Sequence, residues 1–153
     1  MSFKVRPIPA TIAHQVRTEM RSPQYGHPAH RERAAGYGPC RVCLEKFDVD
    51  REDRILFTFN PYIDGTTLAA PSPVIIHADE CEPFSGAGFP SGLRSLPLVL
   101  EPTDRNGLAV SRTRPDPEQL DEVLGGMLRD PAVVRITVRH AEAGCFIAHV
   151  TRE

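Results

Sequence analysis

Most apolar positions of this chain fall in short runs that are typical of strands. The clearest run, Arg54 to Phe59, is β-branched and aromatic, and Asn60-Pro61 ends it. Pro73 to Ala78 contains consecutive apolar residues, which indicates a strand buried on both faces. Further strands are predicted at Phe3 to Ile8, Cys40 to Phe47, Leu96 to Glu101, Leu108 to Arg112, Val133 to Val138 and Cys145 to Val150.

Turn signals between these runs predict hairpins. Residues 104–107 end in Asn-Gly, which accepts the positive φ values of a tight hairpin turn, and residues 141–144 join the last two runs. The acidic residues 48–53 are expected to form a solvated turn between the Cys40 and Arg54 strands. In the strand before the last turn, residues alternate between an apolar face (Val134, Ile136, Val138) and a polar face (Arg135, Thr137, Arg139). The apolar face is therefore expected in the core and the polar face in water.

Helical periodicity occurs in two segments. Residues 116–129 begin with Asp116 as N-cap and Pro117 at the first helical position, and they carry one apolar stripe, formed by Leu120, Val123, Leu124, Met127 and Leu128. Residues 11–20 have apolar residues at four-residue spacing, which favours a second helix. Residues 22–38 have no periodicity and several Pro and Gly residues, so they are predicted to form a surface loop.

The order of these elements predicts the fold class. Strands that follow one another through hairpin turns favour an antiparallel sheet, so we expect an α+β fold with about six to eight strands covered by the 116–129 helix. The 153 residues are enough for one domain, spanning 1–153. A chain of this length builds a core without disulfide or metal staples.

Charge and composition exclude several classes of protein. With 18 basic and 20 acidic residues, the chain lacks the basic excess of a nucleic-acid or anionic-membrane binder. No apolar stretch reaches the length of a membrane span or a secretory signal. The expected location is the cytoplasm, where the four cysteines would be thiols or metal ligands rather than disulfides.

Three of these cysteines and one histidine lie in two short motifs. Cys40 and Cys43 have C-x-x-C spacing, and His77 and Cys81 follow the buried strand with H-x-x-x-C spacing. Four Cys or His ligands are what tetrahedral Zn²⁺ takes, and a thiolate-rich set suits zinc or iron better than magnesium or calcium. However, residues three apart in a strand point to opposite faces. The site therefore requires a turn at Cys40 to Cys43.

Two other classes of function remain open. Arg41 lies next to Cys40 and could lower its thiol pKa, so Cys40 or Cys145 could serve a thiol-dependent enzyme with His77 or His140 as base. His140 and Cys145 flank the last turn, and with Arg41 they form a second candidate pocket. Alternatively, the chain is an interaction subunit that presents a strand edge or an apolar patch to a protein partner or to a second copy. A small binding or accessory protein is the leading hypothesis, and the four Cys and His residues are its candidate structural metal site.

Four separated motifs, in the same order along the chain, resemble those of one bacterial family. They are the segments 36–44, 55–57, 72–81 and 140–146, which include all the cysteines. The family is catalogued as domain of unknown function 1203. The resemblance implies a bacterial single-domain protein and no assigned activity, and residues 24–33 depart from the family pattern.

Overall fold

The computed structural model describes residues 2–36, 38–62 and 71–153. Seven strands and two α-helices occur in these residues, and the strands form two antiparallel sheets, which confirms the α+β class. The elements are β1 (Phe3–Arg6), α1 (Ala10–Glu19), β2 (His30–Arg33), β3 (Asp53–Phe59), β4 (Ser72–His77), β5 (Leu98–Thr103), α2 (Leu120–Arg129), β6 (Arg135–His140) and β7 (Phe146–Arg152).

The first sheet has four strands in the order β1-β7-β6-β5, and α2 packs against it. The predicted apolar stripe of α2 explains this packing, because Leu120, Leu124 and Leu128 are all buried in the core beneath the helix. The helical turn before α2 is a 3₁₀ turn, Pro117–Gln119. Asp116 has extended backbone and makes no side-chain cap, although Gln119 N–H donates to its carbonyl at 2.9 Å. Asp116 is therefore the N-cap residue at the predicted position, and Pro117 begins the helical turn, but the Asp116 side chain makes no capping hydrogen bond.

The second sheet has three strands in the order β2-β3-β4 and encloses a separate apolar cluster with α1. Two sequence predictions were wrong here. β2 lies inside the predicted 22–38 loop, and β3 pairs with β2 and β4 rather than with a strand at Cys40 to Phe47. The sequence of β2 is His-Arg-Glu-Arg at an exposed sheet edge, so it has no apolar alternation that would predict a strand.

The polar face of β6 is not the wet face that its sequence predicts. Thr137 is fully buried, and its hydroxyl lies 2.8 Å from the Tyr62 hydroxyl. Val134, which was expected in the core, precedes β6 and is 48% exposed. The reason is that the polar face of β6 turns towards Tyr62 and the end of β3, where hydroxyl and imidazole groups satisfy one another.

The Asn-Gly hairpin forms, but its second arm is short. Asp104 N–H donates to Leu108 O at 3.0 Å, and isolated bridges join Thr103 to Ala109 and Leu100 to Thr113. No helix in the described part of the chain is both long and apolar enough to cross a membrane.

Candidate metal centre

The segment from Cys40 to Leu44 is a tight turn, not the strand that the sequence predicts. Leu44 N–H donates to Cys40 O at 2.9 Å, and Cys40 N–H donates to Glu45 O at 2.9 Å. Leu44 has a φ of 60°, in the left-handed region that non-glycine residues rarely adopt. Because of this reversal, Cys40 and Cys43 lie side by side, which meets the geometric condition for a shared metal.

The turn is fixed against the end of β4. Arg41 N–H donates to Ile75 O at 2.9 Å, so the C-x-x-C segment continues the hydrogen bonding of that strand edge. His77 is the last residue of β4, and its backbone N–H donates to Cys40 Sγ at 3.3 Å. Cys81 lies in the loop that follows, and its Sγ comes within 3.8 Å of Cys40 Sγ.

These two motifs bring four ligand atoms together. The Sγ atoms of the three cysteines and one ring nitrogen of His77 all lie within 4.8 Å of one another. Cys43 Sγ is 3.5 Å from His77 Nδ1. All four residues predicted from the sequence as metal ligands, Cys40, Cys43, His77 and Cys81, therefore form one cluster in the structure.

The spacing of the ligand atoms fits tetrahedral zinc. With Zn–S bonds of about 2.3 Å and Zn–N bonds of about 2.0–2.1 Å, a tetrahedron has an S–S edge of about 3.8 Å and an S–N edge of about 3.5 Å. The Cys40–Cys81 separation is 3.8 Å and the Cys43–His77 separation is 3.5 Å. No rearrangement of the chain is needed along these two edges.

Two further residues support the cluster from outside. Glu52 Oε2 lies 3.2 Å from His77 Nε2, so the imidazole donates there and turns Nδ1 towards the sulfurs. Arg17 of α1 donates to Cys81 Sγ at 3.5 Å and to His77 O at 3.0 Å. Three thiolates around a divalent cation leave one net negative charge, which the guanidinium offsets.

Neither Arg17 nor Glu52 was predicted from the sequence. Arg17 is one of sixteen arginines, and Glu52 lies in the acidic run that was interpreted as a solvated turn. The only signal was indirect: Arg17 follows Val16 on the apolar side of a predicted helix, and Glu52 directly precedes the strand that pairs with β4.

Protons are shared within the cluster. Hydrogen bonds from the Cys43 and Cys81 thiols, together with His77, place the pKa of Cys40 far below its ordinary value. The same hydrogen bonds raise the pKa values of Cys43 and Cys81, and the contact with Cys40 raises the pKa of His77. These opposite shifts favour the thiolate form at Cys40, and a metal that bound there would displace the protons of the other ligands.

The cluster forms the floor of an open cleft of about 430 Å³. Cys40 is fully buried, whereas Cys43, His77 and Cys81 line the cleft and are half-exposed. Six carboxylates surround these residues: Glu45, Glu52, Asp53, Asp79, Glu80 and Glu82. Their negative potential would concentrate cations at the mouth of the cleft.

In the second candidate pocket (Arg41, His140 and Cys145), Arg41 and His140 form hydrogen bonds with backbone groups. Arg41 is buried, and its guanidinium donates to Phe146 O at 2.6 Å and to Pro39 O at 2.5 Å. Burial lowers the pKa of Arg41 to about 10, so it remains a cation at neutral pH. His140 Nδ1 accepts from the Glu142 N–H at 3.3 Å within the last turn, and Cys145 is half-exposed beside it. A catalytic role for these residues stays a prediction.

One comparison with known proteins gives a match. The model of a family described as "Protein of unknown function (DUF1203)" matches residues 37–152. No curated protein and no solved structure matches the chain. The matched range includes all four cysteines, His77 and Glu52, and it begins after β1, α1 and β2.

Proposed function

The chain belongs to the DUF1203 family of unknown function, and we propose that it is a small binding or accessory protein with one structural Zn²⁺ held by Cys40, Cys43, His77 and Cys81. The observation that carries the proposal is the convergence of four soft ligand atoms within 4.8 Å, from two separate segments. Without a metal, half-exposed thiols at the floor of a cleft have no reason to gather around an imidazole. Zinc gives them one, because its four positions match three sulfurs and one nitrogen.

A structural role fits the ligand count better than a catalytic one. Catalytic zinc sites keep a position for water or substrate, and they have three protein ligands. Here four protein ligands would close the shell. The ion would fasten the C-x-x-C turn to β4 and, through Arg17, to α1.

A cytoplasmic location is part of the proposal. Thiolate ligands have to remain reduced, and reducing compartments keep them so. The backbone of the C-x-x-C segment favours metal binding over thiol–disulfide exchange, because this segment is a turn that ends at Leu44 rather than the start of a helix.

The direct experiment measures metal and thiols on native protein purified without chelator or affinity tag. Elemental analysis should give about one zinc per chain, and a thiol reagent should label Cys145 quickly and the other three cysteines only after metal removal. One iron per chain in place of zinc would support the same four ligands and correct the identity of the metal. No bound metal, together with four thiols that titrate freely, would contradict the proposal.

Matched variants separate the ligands from an ordinary cysteine. Cys43→Ser and Cys81→Ser should each lose zinc, because one thiolate is removed from a set of four. Cys145→Ser removes a half-exposed cysteine outside the cluster, and it should retain the full zinc content. Equal zinc in all three variants would contradict the assignment of the ligands.

The thiol-enzyme alternative predicts a different result. One cysteine would react quickly and with a depressed pKa, whether or not metal is present. Cys40 is completely buried, which is unfavourable for attack on a substrate, so Cys145 would have to be the fast thiol.

A further inference from the structure

A second cavity lies where the end of β3 meets β6 and β7, and residues of both sheets line it. Its volume is about 330 Å³, within the range of small-molecule sites. Arg6, His149 and Thr137 are register partners across β1, β7 and β6, and Arg135 lies two residues from Thr137 on the same face. We call this cavity the inter-sheet pocket.

In the part of the chain that the structure describes, the two arginines of the inter-sheet pocket have no acidic partner. Arg6 donates to Thr151 Oγ1 at 2.9 Å, and the Arg135 guanidinium lies over the Tyr62 ring at 4.7 Å. Neither forms an ion pair within residues 2–36, 38–62 and 71–153. By contrast, Arg112 and Arg139, on the same side of the sheet, are both paired with Glu101.

Stacking on Tyr62 prepares Arg135 for an anion. A guanidinium whose face covers an aromatic ring keeps its N–H groups at the edge, where they fit the paired oxygens of a carboxylate or phosphate. The stack also fixes the side chain in place. Less conformational freedom is then lost when a ligand binds.

Apart from its arginines and His149, the described lining of the pocket is apolar, and none of these described residues is acidic. They include Phe59, Phe146 and the prolines on either side of Ile8. His149 completes the wall, with Nε2 donating to Pro61 O at 3.1 Å and Nδ1 facing Thr137 Oγ1 at 3.4 Å. Burial lowers the pKa of His149 to about 4, so the ring is neutral at pH 7 and the two arginines set the charge.

We propose that the inter-sheet pocket binds a small organic anion, whose carboxylate or phosphate head is held by Arg6 and Arg135 and whose apolar body lies against Phe59 and Phe146. The proposal is independent of the metal centre, since none of the residues that line the pocket is one of the four candidate zinc ligands. It commits to an anion because two arginines with no acidic partner among the described residues lie beside an apolar cavity, an arrangement complementary to a charged head on an apolar body.

The test is a titration of the native protein, followed by NMR shifts of backbone amides, with three probes of similar shape. Phenylacetate and phenyl phosphate carry the two kinds of anionic head, and phenylacetamide is the neutral control. At least one anion should bind saturably with a Kd of about 1 mM or below, shifting amides around Phe146 and His149. Binding should weaken at higher ionic strength, since the pocket is open to solvent.

Charge-matched variants locate the binding. Arg135→Gln should weaken the anion about tenfold, because one charge-assisted hydrogen-bonded contact is lost. Arg6→Gln, at an exposed position that tolerates the change, should weaken it several-fold and decides the matter if Arg135→Gln does not fold. Arg105→Gln, in the exposed Asn-Gly turn, removes the same charge and should leave the Kd unchanged.

Three outcomes would overturn the proposal. One is phenylacetamide binding as tightly as the anions. Another is a Kd that Arg6→Gln does not change. The last is the absence of saturable binding by both anionic probes.

Discussion

Glu52 is a half-exposed residue whose carboxylate lies 3.2 Å from the outer ring nitrogen of His77. This contact fixes the tautomer in which Nδ1 faces the three sulfurs. Replacing Glu52 by Ala should therefore weaken zinc affinity about 10- to 100-fold, as found when such supporting carboxylates are lost. Competition with a coloured zinc chelator measures the change. Glu45→Ala removes a carboxylate from the same cleft and should have a much smaller effect; equal affinities for the two variants would contradict the role of Glu52.

His149 makes the free energy of unfolding depend on pH. Its folded-state pKa is lowered from 6.5 to about 4 by burial and by the charges of Arg135 and Arg139, with Tyr62 and Arg6 also beside it. The unfolded chain therefore binds a proton here before the folded one does. Stability should fall as the pH drops from about 6.5 to about 4, by a few kcal/mol at most.

Urea denaturation at several pH values measures this dependence. His149→Gln, which has no titrating ring, should be less stable at pH 7 but lose less stability between pH 6.5 and pH 4. His14→Gln is the control, because His14 is an exposed residue of α1. Parallel pH profiles for the wild type and His149→Gln would contradict the prediction.

The four residues of the Cys/His cluster could be predicted from the sequence because their chemistry depends on residue type. Three cysteines and a histidine at short spacings are informative in any fold. The supporting residues were not predictable in this way, because arginines and glutamates are common on protein surfaces. Arg17 and Glu52 differ from the others only in that the fold places them next to Cys81 and His77. Tertiary contacts, not sequence spacing, give these two residues their role.

At the level of elements, prediction succeeded where apolar periodicity was strong and failed where it was weak. α2 and β3 have clear patterns and were found within a few residues. β2 lies at a sheet edge and is mostly exposed, so its sequence is polar and lacks the apolar alternation that predicts a strand. The segment 40–47 has apolar alternation that predicts a strand. Leu44 nevertheless adopts a left-handed conformation, and the sequence has no glycine there to indicate a turn.

The two glycines of α2 offer a test of helix energetics. A Cβ at Gly125 would meet no atom within 4 Å, and one at Gly126 would come no closer than 3.9 Å to Arg129. Gly125→Ala and Gly126→Ala should therefore each stabilise the protein by about 0.5–1 kcal/mol, because alanine loses less backbone entropy in a helix. Chemical denaturation measures the gain.

Gly144 is the matched control for these substitutions. It also has open space around its Cα, but its φ is +75°, which an L side chain rarely adopts. Gly144→Ala should destabilise the protein by about 1 kcal/mol, because the strain is conformational rather than steric. If all three substitutions shifted stability in the same direction, backbone conformation would not be the cause.

For the molecule as a whole, the two apolar clusters predict a local response to metal removal. The metal centre belongs to the cluster around α1 and β4, whereas α2 packs in the other cluster. If the free zinc concentration is a thousand times the Kd, removal of the ion should lower the free energy of unfolding by about 4 kcal/mol. The thermal midpoint should fall accordingly.

Hydrogen exchange gives the spatial part of this prediction. Chelation should reduce protection most in α1, residues 38–47 and β4, because these are the segments that the ion would join. Protection in α2, β5 and β6 should change less. A uniform loss of protection over both sheets would contradict a structural site confined to one cluster.

The pairing of β1 with β7 has a consequence for the order in which the protein is made. Phe3 lies opposite Arg152, so β1 can form its native pairing only after β7 has been synthesised. At about 5–20 residues per second, a ribosome would need roughly 7–30 s to supply the partner. During that time Val5 and the edge of β1 that pairs with β7 lack their native neighbours, and an unpaired strand edge favours aggregation of the nascent chain.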